Sequence, residues 1–250
     1  MNATVIAALA FLGISAATLL GLRLRAALPD RYLSADTKDT VRLGTGLVAT
    51  MTALLLGLLI ASAQDSYDTQ RGQVIQLAAE VDFLDRVLAT YGPETTESRS
   101  LLLKSTEGVV QKLWPEASQA GKEDPALAAG QALFNAIHKL KPQNDEQHAL
   151  KEQALNTVTN LSQTRWLLFA QVDASIPRPL LTILVVWLAI IFLSFGLFAP
   201  TNKTVLITMA IVTLSVSSAL FLILELDRPF DGLLQVSSAP VRSAISRLGR

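Results

Sequence analysis

Leu224-Glu225-Leu226-Asp227-Arg228-Pro229-Phe230 closes a run, Thr204 to Leu224, that holds no charged residue. Two acids and an arginine directly after such a run mark the point where a helix leaves hydrocarbon for water, because a charge inside a bilayer carries a heavy desolvation cost. Outward from this edge lie three more apolar blocks of similar length: Thr4 to Leu22, Val41 to Ala63 and Leu180 to Phe198. Each matches the ~20 residues that a helix needs to cross a membrane. Half of the 250 residues are apolar and they cluster into these blocks. The expected fold is therefore all-α: a polytopic membrane protein of four transmembrane helices with a helical-bundle soluble insert between spans two and three.

No Lys or Arg precedes the first block, and Arg23 and Arg25 follow it, so a retained span is expected rather than a cleaved signal. The expected divisions are 1–64 for spans one and two, 65–175 for the soluble insert, 176–225 for spans three and four, and 226–250 for a juxtamembrane tail. Four crossings place the insert on the same side as both termini.

Within the insert, Val74, Leu77, Val81, Leu84, Leu88 and Tyr91 recur at three-and-four spacing, predicting a helix that continues directly out of span two until Gly92-Pro93 stops it. Leu150, Leu155, Val158, Leu161 and Leu168 predict a second long helix, opened by Asn144 and Gln147 at capping-box spacing and antiparallel to the first. Thr95 to Trp114 and Pro125 to Leu140 read as shorter helices between them. The insert carries 15 acids from Asp65 to Asp173 against 10 bases, a net charge of −5, read either as a solvated bundle surface or as an acidic docking face. Ile176-Pro177-Arg178-Pro179 predicts a break before span three, because two prolines remove two backbone donors.

Lipid offers helices no hydrophobic reason to associate, so small residues mark close contacts. Span one carries Gly13, Ala17 and Gly21, and span two carries Ala53, Gly57 and Ala61; these stripes predict that the two helices touch, or that one lines an oligomer axis. Thr45, Thr50 and Thr52 make span two the best candidate for a pore wall, and the candidate pore or close-packing residues are Thr50, Ala53, Leu54, Leu55, Gly57, Leu58 and Ala61. Span three, with Val185, Trp187, Ile190 and Phe192, is bulky nearly all round and is expected to face lipid. At the insert side of the spans, Asp65, Asp68, Arg71, Arg165, Asp173, Arg178, Glu225, Asp227, Arg228 and Asp231 form the candidate charged belt. It reads either as compensated ion pairs or as a vestibule that filters ions.

The chain has no cysteine, which excludes disulfides, thiolate catalysis and Cys-ligated metals. His138 and His148 lack carboxylates at ligand spacing and read as surface residues, and no phosphate loop or nucleophile elbow is present. No enzyme activity, metal or cofactor is expected. Equal numbers of acidic and basic residues, 21 each, argue against a nucleic-acid partner.

Several short strings fall in order along the chain: Phe83-Leu84-Asp85-Arg86-Val87-Leu88, Tyr91-Gly92-Pro93-Glu94, Leu113-Trp114-Pro115-Glu116, Gln163-Thr164-Arg165-Trp166, Ser194-Phe195-Gly196-Leu197-Phe198-Ala199-Pro200, and Leu224 to Phe230 with Gly232 and Ser237-Ser238. Together they resemble the bestrophin-like family of bacterial and plant four-helix membrane proteins, a family of uncharacterised function, over nearly the whole chain. By its similarity to bestrophins, the resemblance implies a pentameric channel with a helical cytosolic domain and span two on the fivefold axis. Met51 to Ile60 departs from the bestrophin neck, having neither aromatic nor proline, and no acidic run matches the calcium clasp of animal bestrophins. The function expected is a homo-oligomeric bestrophin-like ion channel or channel-like protein; the alternative is a membrane-anchored scaffold or sensor acting through the insert. The partners implied are the lipid bilayer, further copies of the chain and inorganic ions.

Six bases in the two short connections (Arg23, Arg25, Arg31, Lys38, Arg42 and Lys203) face seven near the membrane on the other side (Arg71, Arg165, Arg178, Arg228, Arg242, Arg247 and Arg250), so charge alone does not set orientation. The resemblance, and a basic tail from Val241 to Arg250 suited to an anionic leaflet, place the insert and both termini in the cytoplasm of a cell whose membrane, a bacterial inner membrane, holds the protein.

Overall fold

The computed structural model describes residues 3–29, 32, 34–115, 125–172, 176–200 and 202–248. They form α1 (Ala3–Ala27), α2 (Ala35–Tyr91), α3 (Thr96–Leu113), α4 (Pro125–Lys139), α5 (Asp145–Val172), α6 (Arg178–Phe198), α7 (Lys203–Leu226) and α8 (Ala239–Arg247), with no strand among the described residues. Four of these helices are long and apolar enough to cross a membrane: α1, α2, α6 from Pro179, and α7. The chain divides into two compact units, Met1–Ser66 with Ser175–Arg228 and Gly232–Leu234, and Tyr67–Ala174 with Pro229–Asp231 and Gln235–Arg250. The 57-residue α2 supplies helix to both without a break.

In the first unit α1 packs on α6 and α7. Its buried stripe is Ala3, Ala7, Ala10, Ile14, Thr18 and Gly21, so small side chains every three or four residues let backbones approach. The closest approach is at Gly21, where an added Cβ would collide with the backbone of Leu193 and Leu197, and reciprocally at Gly196, where one would collide with Thr18 and Leu22. This corrects the expectation that spans one and two meet through their small residues. Of the span-one stripe Gly21 is used, but against α6, while a Cβ on Gly13 or Gly57 would meet nothing within 4 Å. Span three is corrected as well: Leu184, Leu188, Ile191, Phe192 and Gly196 are buried, and Ile183, Val186, Ile190 and Phe195 form its exposed side.

The second unit is built on the two long helices. Val74, Leu77, Val81, Leu84 and Leu88 of α2 share one apolar core with Val158, Leu161 and Leu168 of α5, Leu102, Val109 and Leu113 of α3, and Leu133 and Ile137 of α4. Gln147 donates to the Tyr91 carbonyl at 3.0 Å, and the Thr164 hydroxyl lies 3.3 Å from the Glu80 carboxylate, so α5 starts where α2 ends and the pair is antiparallel. Asn144 caps α5 by accepting the Gln147 amide at 2.7 Å, while the Gln147 side chain returns to the Gln143 amide at 2.8 Å. Gly92, at φ 136°, turns the chain out of α2. Asp85, buried on α2, holds Arg99 of α3 in a two-point pair at 2.7 and 3.0 Å.

The end of the chain packs on the bundle. Val241 and Ala244 of α8 are buried in the bundle core, and Arg247 pairs with Asp82. The approach to α8 is fixed by Trp114, whose indole donates to the Val236 carbonyl at 2.9 Å and stands edge-on to Phe230 at 5.3 Å.

The Gly21–Gly196 contact predicts an asymmetry among glycines. Gly196→Val should lower the detergent melting temperature sharply, in keeping with the ~1–3 kcal/mol cost of overpacking, whereas Gly57→Ala should leave it unchanged or slightly higher. Equal melting temperatures for the two variants would contradict the contact.

Candidate functional site

The first part of α2 has two unlike faces. Thr52, Leu59 and Ala63 are buried, the last at 2 % exposure, whereas Leu54 on the opposite side is 71 % exposed. Thr50, Ala53, Leu54, Gly57, Leu58 and Ala61 all lie on this bare side, and Leu55 is half-buried at its margin. Leu43 and Leu47 extend the bare strip toward the start of the helix. Its content differs from the exposed side of α6, which is dominated by Leu180, Ile183, Val186, Ile190 and Phe195. The bare side of α2 instead mixes leucine with threonine, alanine and glycine.

Several hydroxyls on the spans are satisfied locally. Thr50 donates to the Gly46 carbonyl at 3.0 Å, Thr52 to Val48 at 2.7 Å, and Thr208, Ser215 and Ser218 of α7 likewise bond four residues back. These groups therefore leave leucine as the dominant chemistry of the bare face.

Where α7 ends, its carboxylates bind backbone. Glu225 is buried and accepts the Leu233 amide at 2.6 Å and that of Leu234 at 3.4 Å. Gly232 lies against this carboxylate at φ 92°, a backbone conformation and a space that both call for glycine. Asp227 accepts the Ile176 amide through both oxygens, at 3.1 and 3.2 Å, and so ties the segment before α6 to the end of α7. That amide belongs to the segment where Pro177 and Pro179 donate nothing.

Of the ten residues expected to form a charged belt, Glu225 and Asp227 are thus engaged by backbone amides. Arg165 is a correction: it is buried within the bundle, its guanidinium 3.4 Å from the Ser105 hydroxyl and lying against Gly130. It sits about two turns before the end of α5 and points inward, because its position falls on the buried stripe with Leu161 and Leu168. Asp65, Asp68 and Arg71 are exposed on α2, and Arg228 and Asp231 are exposed after α7. Asp173 and the side chain of Arg178 lie outside the described residues. The partners of Glu225 and Asp227 leave no charge pattern in the sequence, because they are backbone N–H donors. The pairing of Glu225 with a glycine seven residues on was the available signal.

A family model described as the Bestrophin-like domain matches residues 12–241. A comparison with curated proteins finds no match. Among solved structures, a bacterial bestrophin homologue from Klebsiella pneumoniae superposes with a TM-score of 0.67 at 15 % identity, over 93 % of this chain and 96 % of that one. A single-substitution form of the Klebsiella homologue gives 0.69 at 14 % identity, over 97 % and 98 %. A structure described as a membrane protein variant gives 0.70 at 14 %, over 97 % of both chains.

Burial raises the Asp227 carboxyl above its ordinary value, partly offset by the Ile176 amide and the Arg228 charge. A carboxyl whose folded value is raised contributes most to stability below the ordinary carboxylate range, and that contribution is lost as pH rises through the folded value. Asp227→Asn keeps an acceptor for Ile176 and removes the charge. Its melting temperature should equal or exceed wild type at neutral pH, with the difference shrinking as pH falls toward about 4. A deficit at neutral pH that persists in acid would refute the assignment.

Proposed function

The chain belongs to the Bestrophin-like family, and on that footing we propose that this channel-like membrane protein assembles as a closed homo-oligomer, a ring of about five copies, with α2 of each subunit facing the axis and inorganic ions passing along it. The observation that carries this reading is the bare face of α2. A helix of membrane length keeps one side buried within its own chain and leaves uncovered a strip of small residues and leucines, from Leu43 through Leu54 and Leu58 to Ala61. Small residues on an uncovered membrane helix favour contact with protein over contact with lipid.

Along such an axis, with the hydroxyls turned back to their own helix, the narrow part would be a leucine constriction at Leu54 and Leu58. Apolar constrictions of this kind control ion passage by dewetting. Asp65 and Asp68, exposed one and two turns beyond Ala61, would place acidic groups at the insert-side end of the path. The family resemblance supports a cell membrane location with the insert on the cytoplasmic side.

Leu58→Ala or Leu54→Thr should raise ion flux through proteoliposomes containing the full-length protein by about twofold or more, since widening or wetting an apolar constriction lowers its barrier. Leu9→Ala, on the exposed side of α1, should change nothing. Flux indifferent to both α2 substitutions would refute α2 as the pore wall.

A further inference from the structure

At the end of the first unit that bears the α1–α2 and α6–α7 connections, α2 presents a run of slender residues, Thr45, Gly46 and Ala49, toward Phe195 and Phe198 of α6. The helices leave between them a crevice of about 400 Å³, within the ~300–1,000 Å³ of sites that hold small organic ligands. Its lining is apolar apart from Thr45, Ser194 and one cation, Arg42. A second cavity of about 290 Å³ shares Ala199, Pro200 and Met209 with the first and carries Lys203. Both open at the surface of the unit, where Gly46, Phe195, Pro200 and Leu206 are exposed.

The charges at this end have one sign in excess. The two connections hold six bases, from Arg23 to Lys203, against the three acids Asp30, Asp36 and Asp39. Arg42 meets Asp39 at 3.9 Å, one helical turn away with both groups exposed, a pairing weak enough to yield to a better anion. Arg25 continues the buried stripe of α1 one turn past Gly21, and its Nη1 is buried with no hydrogen-bond partner among the described residues.

From the conjunction of an apolar crevice with these cations, we propose that the protein binds an anionic phospholipid here, one acyl chain lying between α2 and α6–α7 and the headgroup phosphate at Arg42. Arginine suits this role because its planar fork can give a phosphate two parallel hydrogen bonds. A neighbouring subunit's apolar side chains could fill the crevice but would give the cations no counter-charge. The site does not depend on ion conduction, and its failure would leave the proposed channel untouched.

Full-length protein exchanged into detergent and supplied with phosphatidylglycerol or phosphatidylcholine of identical acyl chains can be weighed intact by native mass spectrometry. Wild type should retain phosphatidylglycerol about fivefold over phosphatidylcholine, the gain expected from one base against an anionic headgroup. Arg42→Gln should abolish that preference. Gly46→Leu should abolish retention of both lipids with its melting temperature intact, since a Cβ on Gly46 meets nothing within 4 Å. Equal retention of the two lipids by wild type, or unchanged retention in Gly46→Leu, would mean adventitious boundary lipid only and would overturn the proposal. Loss of subunits from the assembly of Gly46→Leu, with its lipid count unchanged, would assign the crevice to a neighbouring subunit and would overturn it equally.

Discussion

A single unbroken helix that its own chain covers on one side only is the constraint on which this architecture rests. α2 contributes Thr52, Leu59 and Ala63 to the first unit and Val74 through Leu88 to the core of the second. Its other side stays bare from Leu43 to Ala61. In water such a strip would be driven into contact by its apolar area, but in lipid that drive is absent and packing contact must take its place. The small residues along the strip suit such contact, whereas the bulky exposed side of α6 suits acyl chains. A ring of copies satisfies both kinds of surface at once.

The order of elements was legible because period and punctuation survive in a single sequence. The uncharged runs gave the spans, the three-and-four spacing gave α2 and α5, and Gly92-Pro93, Asn144 and Pro125 marked ends close to where they fall. Helix partners in the membrane were not legible in the same way. Apolar periodicity does not say which helix meets which, and Gly196, a lone glycine in an otherwise bulky span, was the overlooked counterpart of Gly21. Arg165 misled because its distance from the span along the sequence said nothing of its direction around the helix. In the last residues the basic charge hid the packing role of Val241 and Ala244, which are buried at helical spacing.

The strings that carried the family resemblance have separate physical tasks in the fold. Asp85 anchors Arg99, Gly92 turns the chain out of α2, and Trp114 holds the approach to α8. Gly196 admits the backbone of α1, and Glu225 with Gly232 folds the turn after α7. At Gly92, Gly196 and Gly232 the backbone angle or the close approach is one that glycine alone meets without strain. The acids at the end of α7 belong to this set. A carboxylate that accepts backbone amides makes a charge-assisted hydrogen bond, and Asp227 uses one to fix the proline-bordered segment before α6. These acids therefore hold the chain in place at the end of a span.

The number of subunits in the intact protein, measured by native mass or single-particle imaging in mild detergent or native lipid discs, tests this account most directly. One subunit has too few spans to enclose a wet path, so a channel requires a closed assembly. The account predicts a ring of about five copies with the bare side of α2 at its axis. A monomer, or a simple dimer with that side of α2 turned to lipid, would contradict it.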